Sequence, residues 1–321
     1  MGKIALISNA RSHLVARKGS RLEEVACRKG ELPLVWFESM ALFRAKITGL
    51  MESGYDTFLI EAGDGTVLAT LTCCYNHDPA RFGALRFAVL PGGSTNLAYE
   101  RLGLKQPGVE DVVRRLDALD DDTSAGAVTQ LPALAVRLGE ARDSHVGFLL
   151  STGALARGMD HVQHHMFGEG QRGSAAVALS LLKLAARPRH YMAADGEPLL
   201  RPSRFEPKTS DMQVEAGPHA FSLATTFPSL SLGLTPFWGE EAKPIRFTYA
   251  PWPPAKLRRA ILRSATGRGL ERLETDGYRS INTDALAMTV DGPLMLDGEL
   301  LQRDSSISIR VGTTGDICFL R

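Results

Sequence analysis

Three short stretches carry residues whose types and spacing suit chemistry. The first is Gly63-Asp64-Gly65-Thr66, which follows the apolar run Phe58-Leu59-Ile60 and opens a new apolar pattern. A helix N-terminus presents unpaired N–H groups and a partial positive charge, and glycines let the backbone approach phosphate oxygens. Thr66 is placed to cap that helix. The second stretch, "VLPGGSTN" at 89–96, repeats the arrangement: an apolar run, a Pro-Gly-Gly turn, then hydroxyls and Asn96 at a helix start. Either turn alone is ordinary turn chemistry, but two of them one strand-helix unit apart make one anion-binding rim. The third is Asp297-Gly298-Glu299, directly after the apolar run Leu294–Leu296, where its carboxylates would project into an interdomain cleft. Phosphoryl transfer from a nucleotide uses such groups: one accepts the attacking hydroxyl's proton and others hold Mg²⁺. A second Asp-Gly-Glu, at Asp195-Gly196-Glu197, shows how common the triplet is as a turn.

The surrounding pattern fits these positions. "KIALISN" (3–9), "LPLVWFES" (32–39), "TFLIEAG" (57–63) and "RFAVLPG" (86–92) read as strands. Helical patterns follow at roughly 17–29, 40–52, 66–76 and 95–102, and again at 108–119. Such alternation builds a parallel sheet with helices on both faces, and ligands meet it at the carboxyl ends of its strands. Beyond the acidic stretch 120–126 the period becomes two, as at Leu134/Val136/Leu138, Leu230/Leu232/Leu234, Ile245/Phe247/Tyr249, Leu286/Met288/Val290 and Ile307/Ile309/Val311. Those are half-buried antiparallel strands, with one helical interruption near 154–187. The expected fold is therefore an α/β domain with a parallel sheet, residues 1–122, followed by a mostly antiparallel β domain, residues 123–321.

Composition narrows the class. Over 321 residues, 44% are hydrophobic and 23% charged, the profile of a globular chain long enough for two cores. A net charge of +1 gives no field for nucleic acid. The four cysteines are too scattered for a disulfide framework, and Cys73-Cys74 falls on an expected buried helix, so a cytoplasmic setting is the simpler one. The start, "MGKIALISNARSHL", reads as a first strand rather than a signal peptide, and no apolar run approaches the ~18 residues of a membrane span.

Taken together, these motifs resemble the diacylglycerol kinase catalytic-domain family, which includes bacterial lipid kinases and sphingosine and ceramide kinases. The family pattern is a first strand ending in Asn, a Gly-Gly-Asp-Gly-Thr loop, a Pro-x-Gly-Thr-x-Asn loop and a late Asp-Gly-Glu. Here these look like Asn9, Ala62 through Thr66, Pro91 through Asn96 and Asp297 through Glu299. The resemblance implies an α/β nucleotide domain followed by a β-sandwich. It implies that Asn9, Gly63, Asp64, Gly65 and Thr66 with Gly92, Gly93, Ser94, Thr95 and Asn96 surround the ATP phosphates, and that Asp64 serves the Mg²⁺ end. Asp297 would be the general base on a lipid hydroxyl, with Glu299 supporting it or the metal. The implied partner is a lipid at a membrane surface, reached from the cytoplasm at the inner face, and the reading admits a homodimer. Two other readings stay open: a soluble-substrate kinase like the NAD kinases, which share "GDGT", and a catalytically impaired nucleotide- or lipid-binding protein of the same fold.

Several positions depart from the family pattern. Ala62 stands for the loop's first Gly, Leu97 for an Asp after the Asn, and "SNARSHLVARKG" lacks the usual Ser-Gly. Arg11, Arg17 and Lys18 in that first loop read as solvated charges. In "TPFWGEEAKP" (235–244), Glu240 and Glu241 do not reproduce a structural Mg²⁺ site, and none is expected there. His161 and His165 are spaced as a zinc pair, beside His164, but no third ligand accompanies them and a polar helix face is the reading preferred. The basic stretch 253–272 reads as a solvated amphipathic helix, with anionic headgroups as its alternative partner. The apolar segment 174–186 reads as core rather than as the wall of an acyl pocket.

Overall fold

Apolar runs that end in Gly, Ser or Asn become strands, because those residues let the chain leave the sheet and start a helix. The computed structural model describes residues 2–94, 96–105, 107–120, 128–166, 176, 179–181, 183–184, 191–192, 196–208, 214–240, 242–303 and 305–321. It divides into two units, Met1–Pro132 with Thr314–Arg321, and Ala133–Thr313. The boundary expected near 122 lies outside the described residues.

In the first unit the strands are β1 (Lys3–Ser8), β2 (Leu34–Trp36), β3 (Tyr55–Ala62) and β4 (Arg86–Pro91). All pair parallel in the order β2-β1-β3-β4, with Ile7 opposite Ile60 and Ile60 opposite Val89. A final strand joins the far edge: Cys318 and Phe319 pair parallel with Arg86 and Phe87 of β4. The intervening helices are α1 (His13–Lys18), α2 (Arg21–Lys29), α3 (Met40–Glu52), α4 (Asp64–His77), α5 (Leu97–Leu102) and α6 (Val109–Asp120).

Strand side chains alternate between faces, so each face has its own core. Ile4, Leu6, Leu59, Ala88 and Leu90 meet Leu22 and Val25 of α2 and Val112 and Leu116 of α6. The alternate residues bring an aromatic ladder together: Phe58 stacks on Phe87 at 5.8 Å, and Phe87 meets Phe82 at 5.9 Å and Phe319 at 6.0 Å. Helix α4 is buried nearly all round, which matches its apolar sequence, and Cys73 and Cys74 sit inside it outside any disulfide. Burial, with the neighbouring Cys73, pushes the Cys74 thiol well above the usual range.

The second unit is antiparallel. It holds most of β5 (Val128–Leu138), then β6 (His145–Gly147), β7 (Leu149–Thr152), α7 (Gly153–Met166), β8 (Ser203–Pro207), β9 (Gly217–Thr225), β10 (Ile245–Pro251) and α8 (Leu257–Thr266). Strands β11 (Arg279–Thr283), β12 (Leu286–Asp291), β13 (Leu294–Leu296), β14 (Glu299–Gln302) and most of β15 (Ser306–Leu320) complete it. Strand β9 organises the sheet, pairing with β10 along one edge and with β7 and β8 on the other. Among the described residues no helix is long and apolar enough to cross a membrane.

Leu230/Leu232/Leu234 do not form the expected strand. Gly233 and Leu232 both take positive φ, and Ser231–Gly233 closes a tight turn in which the Leu230 amide donates to the Leu234 carbonyl at 2.7 Å. The basic stretch breaks after Thr266, where Gly267 and Gly269 enter the left-handed region, and resumes as a 3-10 turn at Leu270–Asp276. Most of 167–190 lies outside the described residues, including about half of the apolar segment 174–186, as do Asp195 and Glu241.

Candidate functional site

Strands β1, β3 and β4 are neighbours, so the chain leaves all three at one end of the sheet. The link from β3 to α4 is the single residue Gly63, which takes the N-cap position without a side-chain cap of its own. Thr66 is therefore not the cap: it lies inside the helix, 5% exposed, with its hydroxyl accepting a hydrogen bond from Asn9 Nδ2 at 2.8 Å. That contact ties the end of β1 to α4. Ser12, in the loop after β1, accepts a hydrogen bond from the Gly63 amide at 3.1 Å.

The β4–α5 turn folds against the same residues. The Gly92 amide donates to the Ala62 carbonyl at 3.1 Å, and the Gly92 carbonyl accepts from Leu14 at 2.8 Å. A Cβ on Gly93 would sit 2.5 Å from the Gly63 Cα, so the two backbones approach as only glycine permits. Asn96 takes a left-handed conformation with φ 56°. Its Oδ1 accepts from the Gly93 amide at 2.8 Å while its Nδ2 donates to the Gly93 carbonyl at 3.0 Å. Asp64 then locks the turns together: one oxygen accepts from the Leu97 amide at 3.1 Å and the other from Ala98 at 2.9 Å. The carboxylate thus completes the first turn of α5 from outside that helix. Ser94 is half-buried in the same turn, and Thr95 lies outside the described residues.

The sequence reading missed the support beneath this rim. Glu61 is 1% exposed in β3 and pairs with Arg21 at 2.6 Å. The signal was present as a carboxylate inside the buried run Phe58–Ala62.

In the second unit Asp297 and Gly298 form the two-residue turn of the β13–β14 hairpin, closed by the Leu296–Glu299 pair. Their φ values of 50° and 87° are those of a type I′ turn, which Asp-Gly favours. The Asp297 carboxylate accepts from the amides of Phe148 (2.9 Å to Oδ2) and Leu149 (2.7 Å to Oδ1). The Asp297 amide donates to the Leu149 carbonyl at 2.9 Å, so both backbone and side chain are fixed against β7. Glu299, at the start of β14, is exposed. A side chain at 298 would be strained by the φ of 87° and would displace the tip of Gln163 in α7, whose Nε2 lies 2.6 Å from the Cβ position. His161 packs edge-on to Tyr191 at 6.2 Å, while the side chains of His164 and His165 lie outside the described ones. Among the described residues no cluster of three or more His, Cys, Asp or Glu is placed to hold a metal ion.

A buried polar chain also escaped the sequence reading. His219 Nδ1 donates to the Ser203 carbonyl at 2.8 Å, which makes Nε2 the acceptor of the Thr152 hydroxyl at 2.9 Å. Thr152 then accepts from the Ser222 hydroxyl at 2.8 Å and the Ser222 amide at 3.0 Å. Burial holds the imidazole neutral and lowers its pKa from 6.5 to about 4, with the nearby Arg157 adding to the shift.

A parallel α/β unit with glycine turns at its strand ends, joined in one chain to an antiparallel β unit, defines a recognisable architecture. It is the diacylglycerol kinase fold. A Bacillus anthracis diacylglycerol kinase superimposes with a TM-score of 0.59 and 14% identity, over 99% of this chain and 96% of that one. Another Bacillus anthracis structure ascribed to the same kinase class gives 0.62 and 13%, with the same coverage. Yeast NADH kinase, solved with NADH, gives 0.50 and 10%, over 99% of this chain and 82% of that one. No family model and no curated sequence matches the chain. The resemblance carried by the sequence motifs thus holds at the level of the fold.

Proposed function

We propose that this chain is an ATP-dependent kinase that phosphorylates the hydroxyl of a lipid of the diacylglycerol or sphingoid type. The observation that carries the reading is the locked pair of turns: Gly63 and Gly93 in backbone contact, with Asp64 fastened to the start of α5. A rim built this way suits nucleotide phosphates. Helix α4 begins at a glycine without a side-chain cap, so its N-terminus favours an anion. The hard-oxygen donor there, Asp64, fits Mg²⁺, which commonly takes one or two carboxylates together with substrate phosphates. Mg²⁺ held by Asp64 and the nucleotide would neutralise charge on the phosphates.

The chain's own residues do the rest. Asp297, fixed by two amides, accepts the proton of the acceptor hydroxyl. The hydroxyl oxygen bonds to the γ-phosphorus as the bond to the β–γ bridging oxygen breaks, and ADP leaves. Glu299 supports the base or the metal. The preference for a lipid over a soluble acceptor draws on α8, which bears Arg258, Arg259 and Arg263 around Leu262, itself 65% exposed. Exposed leucine among arginines is the chemistry of a helix lying on an anionic bilayer surface, and the inner face of the cell membrane supplies one.

The fold likeness to NADH kinase supports a second reading, a soluble acceptor. Labelled ATP, Mg²⁺ and a panel of lipids and nucleotides distinguish them. Label extracted into the organic phase is the expected result, and label only in the aqueous product means a soluble acceptor. ATP binding with no transfer to any acceptor would overturn the kinase reading in favour of a binding protein.

A further inference from the structure

An ionised glutamate buried near the end of a core strand has a high desolvation cost, and a β-sheet needs no charge at such a position. Glu61 nonetheless occupies β3 at 1% exposure, between Ile60 and Ala62. Its carboxylate is fully engaged. Oε2 accepts from the Ser20 hydroxyl at 2.7 Å and from the Leu22 amide at 3.1 Å, and Oε1 accepts from Arg21 Nε at 2.6 Å. Two further donors of the Arg21 guanidinium reach main chain. Nη2 donates to the carbonyl of Pro91, and Nη1 to the carbonyl of Pro107 at 3.3 Å.

Two of these anchor points matter most. Glu61 lies two residues before Gly63, and Pro91 directly precedes Gly92. The pair therefore joins the last residues of β3 and β4 immediately below the turns whose backbones touch at Gly63 and Gly93. An apolar pair of the same volume would fill the space as well, but it would leave the Pro91 carbonyl without its donor. The planar fork of arginine also fixes direction, which an ammonium does not.

We infer that Arg21 and Glu61 are positioning residues that set the separation and pitch of the two glycine turns, and through them the affinity for nucleotide phosphate. The second half rests on the nucleotide reading proposed above; the first half does not. The guanidinium is neutralised by Glu61 and bonds the Pro91 and Pro107 carbonyls, so the role assigned to the pair is support rather than anion binding.

The test compares Arg21→Lys and the paired replacement Arg21→Met with Glu61→Leu. The double variant leaves the Ser20 hydroxyl, the Leu22 amide and the Pro91 carbonyl without these partners, so it melts lower than wild type. The other readouts are taken well below its melting temperature. Three quantities are read: the melting temperature, amide hydrogen exchange over residues 92–98, and binding of labelled ATP by equilibrium dialysis. In the double variant exchange at Leu97 and Ala98 quickens at least tenfold, and the Kd for ATP rises by roughly tenfold or more, as small misplacements of a site do. Arg21→Lys keeps the charge but cannot serve Glu61, Pro91 and Pro107 together, so it behaves like the double variant. Wild-type exchange rates in both variants overturn the positioning role. Faster exchange with unchanged ATP affinity overturns the link from the pair to phosphate binding. Faster exchange in a protein whose wild type binds no ATP upholds the positioning role and overturns the nucleotide reading alone.

Discussion

Replacing Asp64 separates two duties that its carboxylate combines. Each of its oxygens accepts an amide from the first turn of α5, Leu97 at 3.1 Å and Ala98 at 2.9 Å. In Asp64→Ala both amides lose that acceptor in a half-buried setting. At about 1.5 kcal/mol for each hydrogen bond to a charged group, the low end of the range as suits a half-buried setting, the loss is about 3 kcal/mol. For a unit of this size roughly 4 °C accompanies each kcal/mol, so the melting temperature falls by on the order of 10 °C. Asp64→Asn retains one acceptor oxygen but turns an amide donor toward the other N–H, and about half of that loss remains. Both changes remove the charge that the proposed function assigns to the nucleotide end, so both raise the Kd for ATP by at least tenfold, about 1.4 kcal/mol. The assay is isothermal titration of ATP with Mg²⁺, alongside differential scanning calorimetry of the same samples. The asparagine variant decides the matter, because it separates charge from capping. If it binds ATP as tightly as wild type while melting lower, Asp64 only holds the turn. If Asp64→Ala changes neither quantity, the account of the rim is wrong.

Two further outcomes follow from the second unit. Asp297→Asn keeps the hairpin turn and one acceptor for the Phe148 and Leu149 amides, so phosphoryl transfer is abolished while ATP affinity is nearly unchanged; undiminished turnover removes Asp297 from the role of base. His219 gives a pH signature of stability: its pKa of about 4 in the fold lies below 6.5 in the unfolded chain, so its stabilising effect is whole above pH 6.5, declines as pH falls, and is gone near pH 4. The shift of about 2.5 units corresponds to about 3 kcal/mol. Urea unfolding of wild type and His219→Gln between pH 7.5 and 4.5, followed by tryptophan fluorescence, measures the difference, and parallel pH profiles would refute the assignment.

Much of the first unit was legible because its parallel strands are buried on both faces and so read as continuous apolar runs, as in Phe58–Leu59–Ile60 and Phe87–Leu90. The glycine turns were legible because few residues other than glycine tolerate such close backbone approach. The capping arrangement was not. Thr66 has the residue type of a cap, yet Gly63 takes that place, and the carboxylate of Asp64 caps a different helix through partners 33 and 34 residues away. Sequence spacing gives no hint of a cap supplied across the fold. Period two misled at Leu230–Leu234 because Gly233 and the flanking prolines favour a tight turn over a strand. Arg21 was hidden for another reason: a surface-type residue at a helix start looks solvated until its partner, forty residues away, is placed beside it.

The last strand has a consequence for biosynthesis. Phe319 completes the aromatic ladder against Phe87, and the Arg321 carbonyl accepts a hydrogen bond from Arg115. These residues belong to the first unit, although the whole of Ala133–Thr313 is translated before them. On the ribosome, the open edge at β4 therefore waits uncovered until synthesis has passed Leu320. A nascent chain in that interval exposes both an unpaired strand edge and phenylalanine surface, the combination that chaperones recognise.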